Sequence, residues 1–305
     1  MSEDPRGAAE QTDESDGQVV RGPHPVPPTR TTRRRPLAAA IAAGVAVTVA
    51  LVIVLGTRVP EVKPSGGPGP RGGTVLFSDT FSDGDYCDYN RVQNRKFTGP
   101  ACKYHDTSYA LRTVDGAARF EVRHGDSPGG GLGGGERSEI SQDSASWQAT
   151  EGDEWYVHER LRLSEDFEPE RWTIITQFHA GSGSPPLSLQ VSRKGALILR
   201  SSGKAGEVNV AAGKGDRVLV PADDFLAMRG QWFEVDLHVR WSNRPGVGGT
   251  EVYVNGKLVA PWRDQRTMAS SRIYWKAGIY RAPADTTQVL WLDDLVISAP
   301  EGGRR

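Results

Sequence analysis

The sequence predicts an all-β protein, a concanavalin-like jelly roll of two antiparallel sheets, preceded by a disordered tail and one transmembrane helix. From Val75 onward, short segments of alternating polar and apolar residues are separated by turn sequences. The chain has 305 residues with 36 glycines and 20 prolines, a composition that suits many turns. Strand patterns do not alternate with helical ones, which favours a sandwich of antiparallel sheets over a parallel α/β sheet.

The amino-terminal part of the chain divides into a tail and an apolar segment. Residues 1–36 are rich in Asp, Glu, Arg, Pro and Gly. They cannot bury enough apolar surface to fold, so we predict a disordered cytoplasmic tail. The run from Leu37 to Gly56 has no charge and is long enough to cross a bilayer as a helix, which predicts a transmembrane anchor over residues 37–57.

The charges on either side of the apolar run predict its orientation. Four arginines stand just before it (Arg30, Arg33, Arg34 and Arg35), whereas Arg58 and Lys63 follow it. The positive-inside rule therefore places the amino terminus in the cytoplasm and the remaining chain outside a cell membrane that is crossed once. The alternative is a cleaved leader, which would secrete the rest of the protein.

A Pro/Gly linker over residues 58–73 leads to the predicted folded domain, residues 74–300, and a short tail follows at 301–305. The domain contains both cysteines, Cys87 and Cys102. An even number of cysteines beyond an export segment predicts a disulfide between them. The net charge of −1 gives no sign of a nucleic-acid partner.

Several segments of the domain have clear strand patterns. The segment "EWYVHERLRLS" places apolar residues at alternate positions with one exception, Glu159, and "FEVDLHVRWS" alternates without exception. "TEVYVNGKLVA" predicts a hairpin that turns at Asn255 and Gly256. "TQVLWLDDLVIS" predicts a long final strand, and a short helix is expected around residues 221–228.

Four further strands carry polar side chains on one face. Side chains at every second position of a strand point to the same face. The shared faces are Arg137 and Glu139 in "GERSEISQ"; Thr173, Ile175, Gln177 and His179 in "WTIITQFHAG"; Ser188, Gln190 and Ser192 in "PLSLQVSRKG"; and Tyr274, Lys276, Gly278 and Tyr280 in "YWKAGIYR". A glycine inside a strand indicates a bulge or a close approach of backbone or ligand.

Together these faces predict one concave site with a coherent chemistry. It combines a cation and an amide that suit a carboxylate, a histidine that exchanges a proton near neutral pH, and a phenol. The chain lacks the paired carboxylates that most glycoside hydrolases need. The alternative is a non-catalytic cell-surface carbohydrate-binding module on the same fold.

The ordered motifs "RSEI", "QFH" and "YWKAGIY" resemble those of jelly-roll polysaccharide lyases. Alginate lyases carry R-S/T-E-L, Q-I/V-H and Y-F-K-A-G-x-Y, and the heparin-lyase and glucuronan-lyase families have similar Q-x-H and K-x-G-I-Y strands. The chain is identified as a member of the heparin-lyase-like group or as a relative between the two, over roughly Val75 to Ser298.

The resemblance implies β-elimination of a uronic-acid-containing, anionic polysaccharide that leaves an unsaturated uronate end. By similarity, Arg137 and Gln177 would neutralise the uronate carboxylate, His179 would be the base, and Tyr280, rather than Tyr274, would protonate the leaving oxygen. Alternatively, a tyrosine would serve as both acid and base. Substrate-binding roles are predicted for Lys276, Tyr274, Glu139 and Gln190.

The predicted chemistry needs no cofactor, and its metal ligands are unassigned. Asp293 and Asp294, with Asp79 or Asp83, would supply oxygen ligands for a structural calcium ion, although solvated carboxylates explain them equally well. The basic residues available for sulfate groups on a substrate are Arg193, Lys194, Arg200, Lys204, Arg272 and Arg281.

Overall fold

The structure, a computed structural model, describes residues 73–105, 108–128, 134–144, 147–202 and 216–302. The predicted tail and transmembrane anchor, and almost all of the linker, lie outside these residues. Within the described part of the chain, no helix combines the length and apolar character needed to cross a membrane. The first described strand begins at Thr74, where the sequence predicts the start of the domain.

Sixteen strands form in the described residues, together with a short 3₁₀ helix at Ala101–Lys103 and one α-helix. The strands are β1 (Thr74–Asp79), β2 (Arg91–Asn94), β3 (Thr98–Pro100), β4 (Leu111–Val114), β5 (Ala117–Val122), β6 (Glu136–Gln142), β7 (Glu154–Leu163), β8 (Trp172–His179), β9 (Leu187–Ser192), β10 (Leu197–Ser201), β11 (Asp216–Val220), β12 (Trp232–Arg240), β13 (Gly248–Val254), β14 (Lys257–Gln265), β15 (Tyr274–Arg281) and β16 (Gln288–Ala299). Helix α1 (Ala222–Leu226) lies within the predicted helical segment.

The strands form two antiparallel sheets, as predicted. The first sheet has the order β14-β13-β12-β7-β16-β5-β4, and β1 also pairs with β16. The second sheet has the order β11-β10-β9-β8-β15-β6-β2-β3. Strands distant in sequence are neighbours in both sheets, so β6, β8 and β15, which carry the three motifs, lie side by side.

The hydrophobic core fills the space between the two sheets. The predicted alternation is confirmed in β7, where every second residue from Trp155 to Leu163 is buried, and in β12. The hairpin turn is confirmed as well, because Asn255 and Gly256 have φ angles of 49° and 73°, the left-handed values of a type I′ turn. Cys87 and Cys102 form the predicted disulfide.

The facial assignment predicted for β8 is wrong over its first half. Ile175 lies in the core and Thr173 donates to Gln288 of the first sheet, whereas Trp172 and Ile174 line the opposite face with Gln177. The cause is a shift in the β8–β9 register between Ile174 and Thr176, which breaks the two-residue alternation.

Candidate active site

One face of the second sheet forms a cleft of about 690 Å³. Side chains of β2, β6, β8, β9, β10 and β15 line it, together with the loop 181–185. Seven predicted residues come together there: Arg137, Gln177, His179, Gln190, Tyr274, Lys276 and Tyr280. The eighth, Glu139, is not among the lining residues and lies beneath them with 1% of its surface exposed.

Strand β15 sets the order of these groups because it pairs with β8 on one side and β6 on the other. Tyr274 lies opposite His179, and Lys276 lies opposite Gln177. Tyr280, six residues further along, lies opposite Arg137 of β6. The cleft therefore has His179 and Tyr274 towards one end and Arg137 and Tyr280 towards the other.

A buried carboxylate, Glu139, joins the donors on the cleft floor. It accepts hydrogen bonds from Lys276 Nζ at 2.9 Å, from Arg137 Nη1 at 3.3 Å and from Gln177 Nε2. Lys276 Nζ also donates to Gln93 Oε1 at 2.8 Å. A buried charge is tolerated when it is paired and hydrogen-bonded, so Glu139 allows two cations to sit on the floor and fixes their orientation.

Gly278 allows β6 and β15 to approach at this point, as the sequence suggests. Its φ angle is 127°, and it lies opposite Glu139 in the β15–β6 pairing. A Cβ atom at this position would stand 2.2 Å from the carbonyl oxygen of Ser138. The β15–β8 register also shifts between Ala277 and Tyr280. Lys276 and Tyr280, four residues apart, both lie on the cleft side of the strand.

His179 is a neutral imidazole held by two hydrogen bonds. Its Nδ1 accepts the backbone N–H of Gly181 at 2.9 Å and lies 3.3 Å from the hydroxyl of Tyr274. Because a backbone N–H only donates, the neutral ring carries its proton on Nε2. Burial, followed by the positive charge of Lys276, lowers the pKa of His179 to about 4.

The two cleft tyrosines have different surroundings. Burial, then the negative charges of Asp143 and Glu139, raise the pKa of Tyr274 to about 12, so its phenol stays protonated across the physiological range. The guanidinium of Arg137 lies 3.8 Å from the centre of the Tyr280 ring, and Trp172 contacts the same ring edge to face at 4.9 Å.

Glu159, the exception in the alternation of β7, lies in the core directly behind the cleft floor. Its carboxyl group accepts hydrogen bonds from Thr176 Oγ1 at 2.6 Å and Trp275 Nε1 at 2.7 Å. These donors are the immediate neighbours of Gln177 and Lys276 in sequence. Complete burial raises the pKa of Glu159 to about 7.

Sequence reasoning missed several cleft residues. Trp172 and Ile174 were placed on the wrong face because of the bulge in β8, and Arg91 and Gln93 lie on a four-residue strand too short to show a period. The basic residues proposed for sulfate groups are mostly outside the cleft. Among those that the structure describes, only Arg200 lines the cleft, and Lys204 lies outside the described residues. Arg281 is 0% exposed and donates to Glu136 at 2.9 Å, so its proposed availability is wrong.

Two of the carboxylates proposed as calcium ligands, Asp293 and Asp79, have hydrogen-bond partners within the protein. In the described ranges, no three His, Cys, Asp or Glu side chains form a group that could hold a metal ion. Asp293 accepts a hydrogen bond from Arg160 at 3.2 Å, and Asp79 accepts the backbone N–H of Phe81 at 2.6 Å.

Comparison with known proteins shows the family of the chain and solved structures with the same fold. The profile described as "Polysaccharide lyase" matches residues 81–296, well over half of the chain. The chain belongs to the polysaccharide lyase family. This polysaccharide lyase has no significant match among curated protein sequences.

Solved structures with similar folds include three lyases. An endo-β-1,4-glucuronan lyase from the fungus Trichoderma reesei is 17% identical, with 74% of this chain and 96% of that chain covered and a TM-score of 0.50. An alginate lyase from Pseudomonas aeruginosa is 20% identical, with 70% and 99% covered and a TM-score of 0.51. The family 7 alginate lyase A1-II′, solved with a product, is 13% identical, with 73% and 99% covered and a TM-score of 0.53. At these identities the likeness establishes the jelly-roll fold that the lyase shares with them.

Proposed function

We propose that this lyase cleaves an unsulfated polyuronate by β-elimination. The observation that carries the proposal is the cluster on the cleft floor, where Arg137, Gln177 and Lys276 all donate to the buried Glu139 and line the same cleft as His179 and Tyr280. Such a cluster suits a reaction in which negative charge develops on a substrate carboxyl group.

The reaction requires a proton to leave C5 of a uronate residue and the bond from C4 to the glycosidic oxygen to break. The electron pair of the C5–H bond forms a C4–C5 double bond, and the leaving oxygen receives a proton. In the intermediate, charge moves onto the carboxylate, so donors must face that group. Arg137 and Gln177 both line the cleft, and Gln177 has a second amide N–H beyond the one given to Glu139.

We assign the proton transfers to His179 and Tyr280. His179 is neutral at physiological pH because of its depressed pKa, and it takes the C5 proton on Nδ1 after release of the Gly181 N–H. Tyr280, whose ring contacts Arg137, gives its proton to the leaving oxygen. Lys276 keeps the imidazole neutral through its charge, and Glu139 positions the donors from below.

The charges around the cleft favour carboxylate groups over sulfate groups as substrate charges. The lining residues described include four basic side chains, and each lies within 4 Å of a carboxylate: Arg91 with Asp143, Arg137 and Lys276 with Glu139, and Arg200 with Asp216. A densely sulfated chain would require several uncompensated cations. A polymer with one carboxylate per sugar suits the small positive excess.

The experiment is to incubate the full-length protein with alginate, glucuronan, hyaluronan, heparin and heparan sulfate and follow ultraviolet absorbance from unsaturated uronate ends. We expect absorbance to rise with alginate or glucuronan and not with heparin or heparan sulfate. His179→Ala, compared with a His124→Ala control outside the cleft, should abolish the rise. Binding to one polymer without any rise in absorbance would favour the non-catalytic module instead.

A further inference from the structure

A row of arginine and tryptophan side chains crosses the first sheet on the side opposite the cleft. Its members are cross-strand partners on five adjacent strands, in the order Arg112 (β4), Arg119 (β5), Trp291 (β16), Arg162 (β7) and Trp232 (β12). Their sequence neighbours Leu111, Phe120, Leu290, Leu161 and Phe233 are buried in the core, so the row faces outward. We call these five residues the arginine–tryptophan row.

The members of the row stack on one another. The guanidinium of Arg162 lies 4.2 Å from the centre of the Trp291 ring and 4.8 Å from that of Trp232. The guanidinium of Arg119 lies 5.5 Å from the centre of the Trp291 ring, and that of Arg160, two residues before Arg162 in β7, lies 4.6 Å from the centre of the Trp232 ring. With strands about 4.8 Å apart, four strand spacings span roughly 19 Å, enough for several sugar rings.

The charges of the row are only partly compensated. Arg119 pairs with Glu121 at 2.5 Å, and the neighbouring Arg160 pairs with Asp293 at 3.2 Å. Among the described residues, Arg112, which is exposed, and Arg162 form no ion pair within 4 Å, and the carboxylate whose charge acts on Arg162 is Asp115. The row therefore holds partly exposed guanidinium groups in fixed positions between two tryptophan rings, and guanidinium groups pair with the carboxylates of an anionic sugar.

Two donors at the centre of the row also have no acceptor. Trp291 Nε1 and Arg162 Nε are buried, and neither donates a hydrogen bond within the part of the chain that the structure describes. Buried donors normally have partners, so an unsatisfied pair in one contact requires a physical reason.

We propose that the arginine–tryptophan row is a second binding surface for an anionic polysaccharide, separate from the cleft. The identity of the polymer as a polyuronate rests on the proposed function; the surface itself rests on the row. Because the row and the cleft lie on the outer faces of opposite sheets, a short oligosaccharide occupies one of them at a time, whereas a long polymer engages both and is held more tightly.

The test separates polymer binding from turnover. Binding is measured by affinity electrophoresis of the full-length protein carrying His179→Ala in gels with polymeric alginate or glucuronan, and with uncharged dextran as a control. Adding Arg162→Gln and Trp232→Ala together should weaken binding to the anionic polymer roughly tenfold. Arg263→Ala, which removes an exposed charge from edge strand β14, should leave it unchanged. Arg162→Lys should retain part of the binding, with increased sensitivity to salt.

The second arm measures turnover of a uronate tetrasaccharide by the same row variants with His179 intact. We expect kcat/KM on the tetrasaccharide to stay within about twofold of the unaltered protein, because the cleft is untouched. Unchanged polymer binding in the double variant and in Arg162→Gln alone would overturn the proposed surface. Weakened polymer binding without turnover of any uronate would instead contradict the proposed function and leave the surface standing.

Discussion

Lys276 and His179 are coupled by charge on the cleft floor. Lys276 is buried, and its ammonium is the second cause, after burial, of the low pKa of His179. Since His179 must be neutral to accept a proton, the acid limb of the pH profile of kcat/KM should fall near pH 4, far below the ordinary histidine value.

Lys276→Met should move this acid limb upward, towards pH 6.5, because the loss of a nearby positive charge favours the imidazolium. The overall rate should fall as well, since Glu139 loses a donor. Arg200→Met is the matched control, because it removes a cleft cation that does not contribute to the His179 shift. An acid limb at the same pH in Lys276→Met and the unaltered protein would contradict the assignment of His179 as base.

The two tyrosines can be distinguished by removing one hydroxyl at a time. Tyr280→Phe should lower kcat by about 10²–10⁴ because it removes the proposed acid while keeping the ring against Arg137 and Trp172. Tyr274→Phe should keep kcat within about tenfold of the unaltered protein, because the role of the Tyr274 hydroxyl is to contact His179 and not to supply the proton for the leaving oxygen. The reverse pattern in steady-state kinetics would assign the acid to Tyr274.

At the scale of the strand pair, Glu159 ties β8 and β15 to the first sheet. Its folded-state pKa of about 7 exceeds the ordinary value of 4.5, so between these pH values the folded protein holds a proton that the unfolded chain has lost. The contribution of Glu159 to stability is therefore complete below pH 4.5 and is lost as the pH rises through 7.

Glu159→Gln keeps the shape of the protonated carboxyl group but removes its titration. The free energy of unfolding of the variant minus that of the unaltered protein should be larger at pH 8 than at pH 5, by on the order of 2 kcal/mol. Urea denaturation of both proteins at the two pH values measures the difference, and the titration of His179 cancels because both carry it. An equal difference at both pH values would mean that Glu159 does not titrate in this range.

The strand pair also shows what local patterns can and cannot predict. The alternations in β7 and β12 follow from burial of one face, and the Asn255–Gly256 turn follows from two left-handed residues. The bulge in β8 depends on pairing with strands distant in sequence, so no local signal placed Trp172 in the cleft. The role of Glu139 as a buried acceptor could not be predicted either. Its hydrogen bonds come from donors on three strands, β6, β8 and β15, which only the tertiary fold brings together.

At the scale of the whole molecule, we propose that the folded domain lies outside the cell on a single amino-terminal anchor. The disulfide between Cys87 and Cys102 suits an oxidising compartment. The full-length protein should sediment with membranes, and protease added to intact cells should remove the domain. Recovery of the activity from the culture medium, with the chain shortened at its amino terminus, would support leader cleavage instead.

The central claim is that the chain breaks its polymer by elimination without consuming water. Mass spectrometry of the products from a defined uronate tetrasaccharide tests this directly. The account predicts two fragments whose masses add up to that of the tetrasaccharide, because the proton from C5 is replaced by a double bond and the leaving oxygen gains one proton. Fragments that together exceed the tetrasaccharide by one water molecule would indicate hydrolysis and contradict the account.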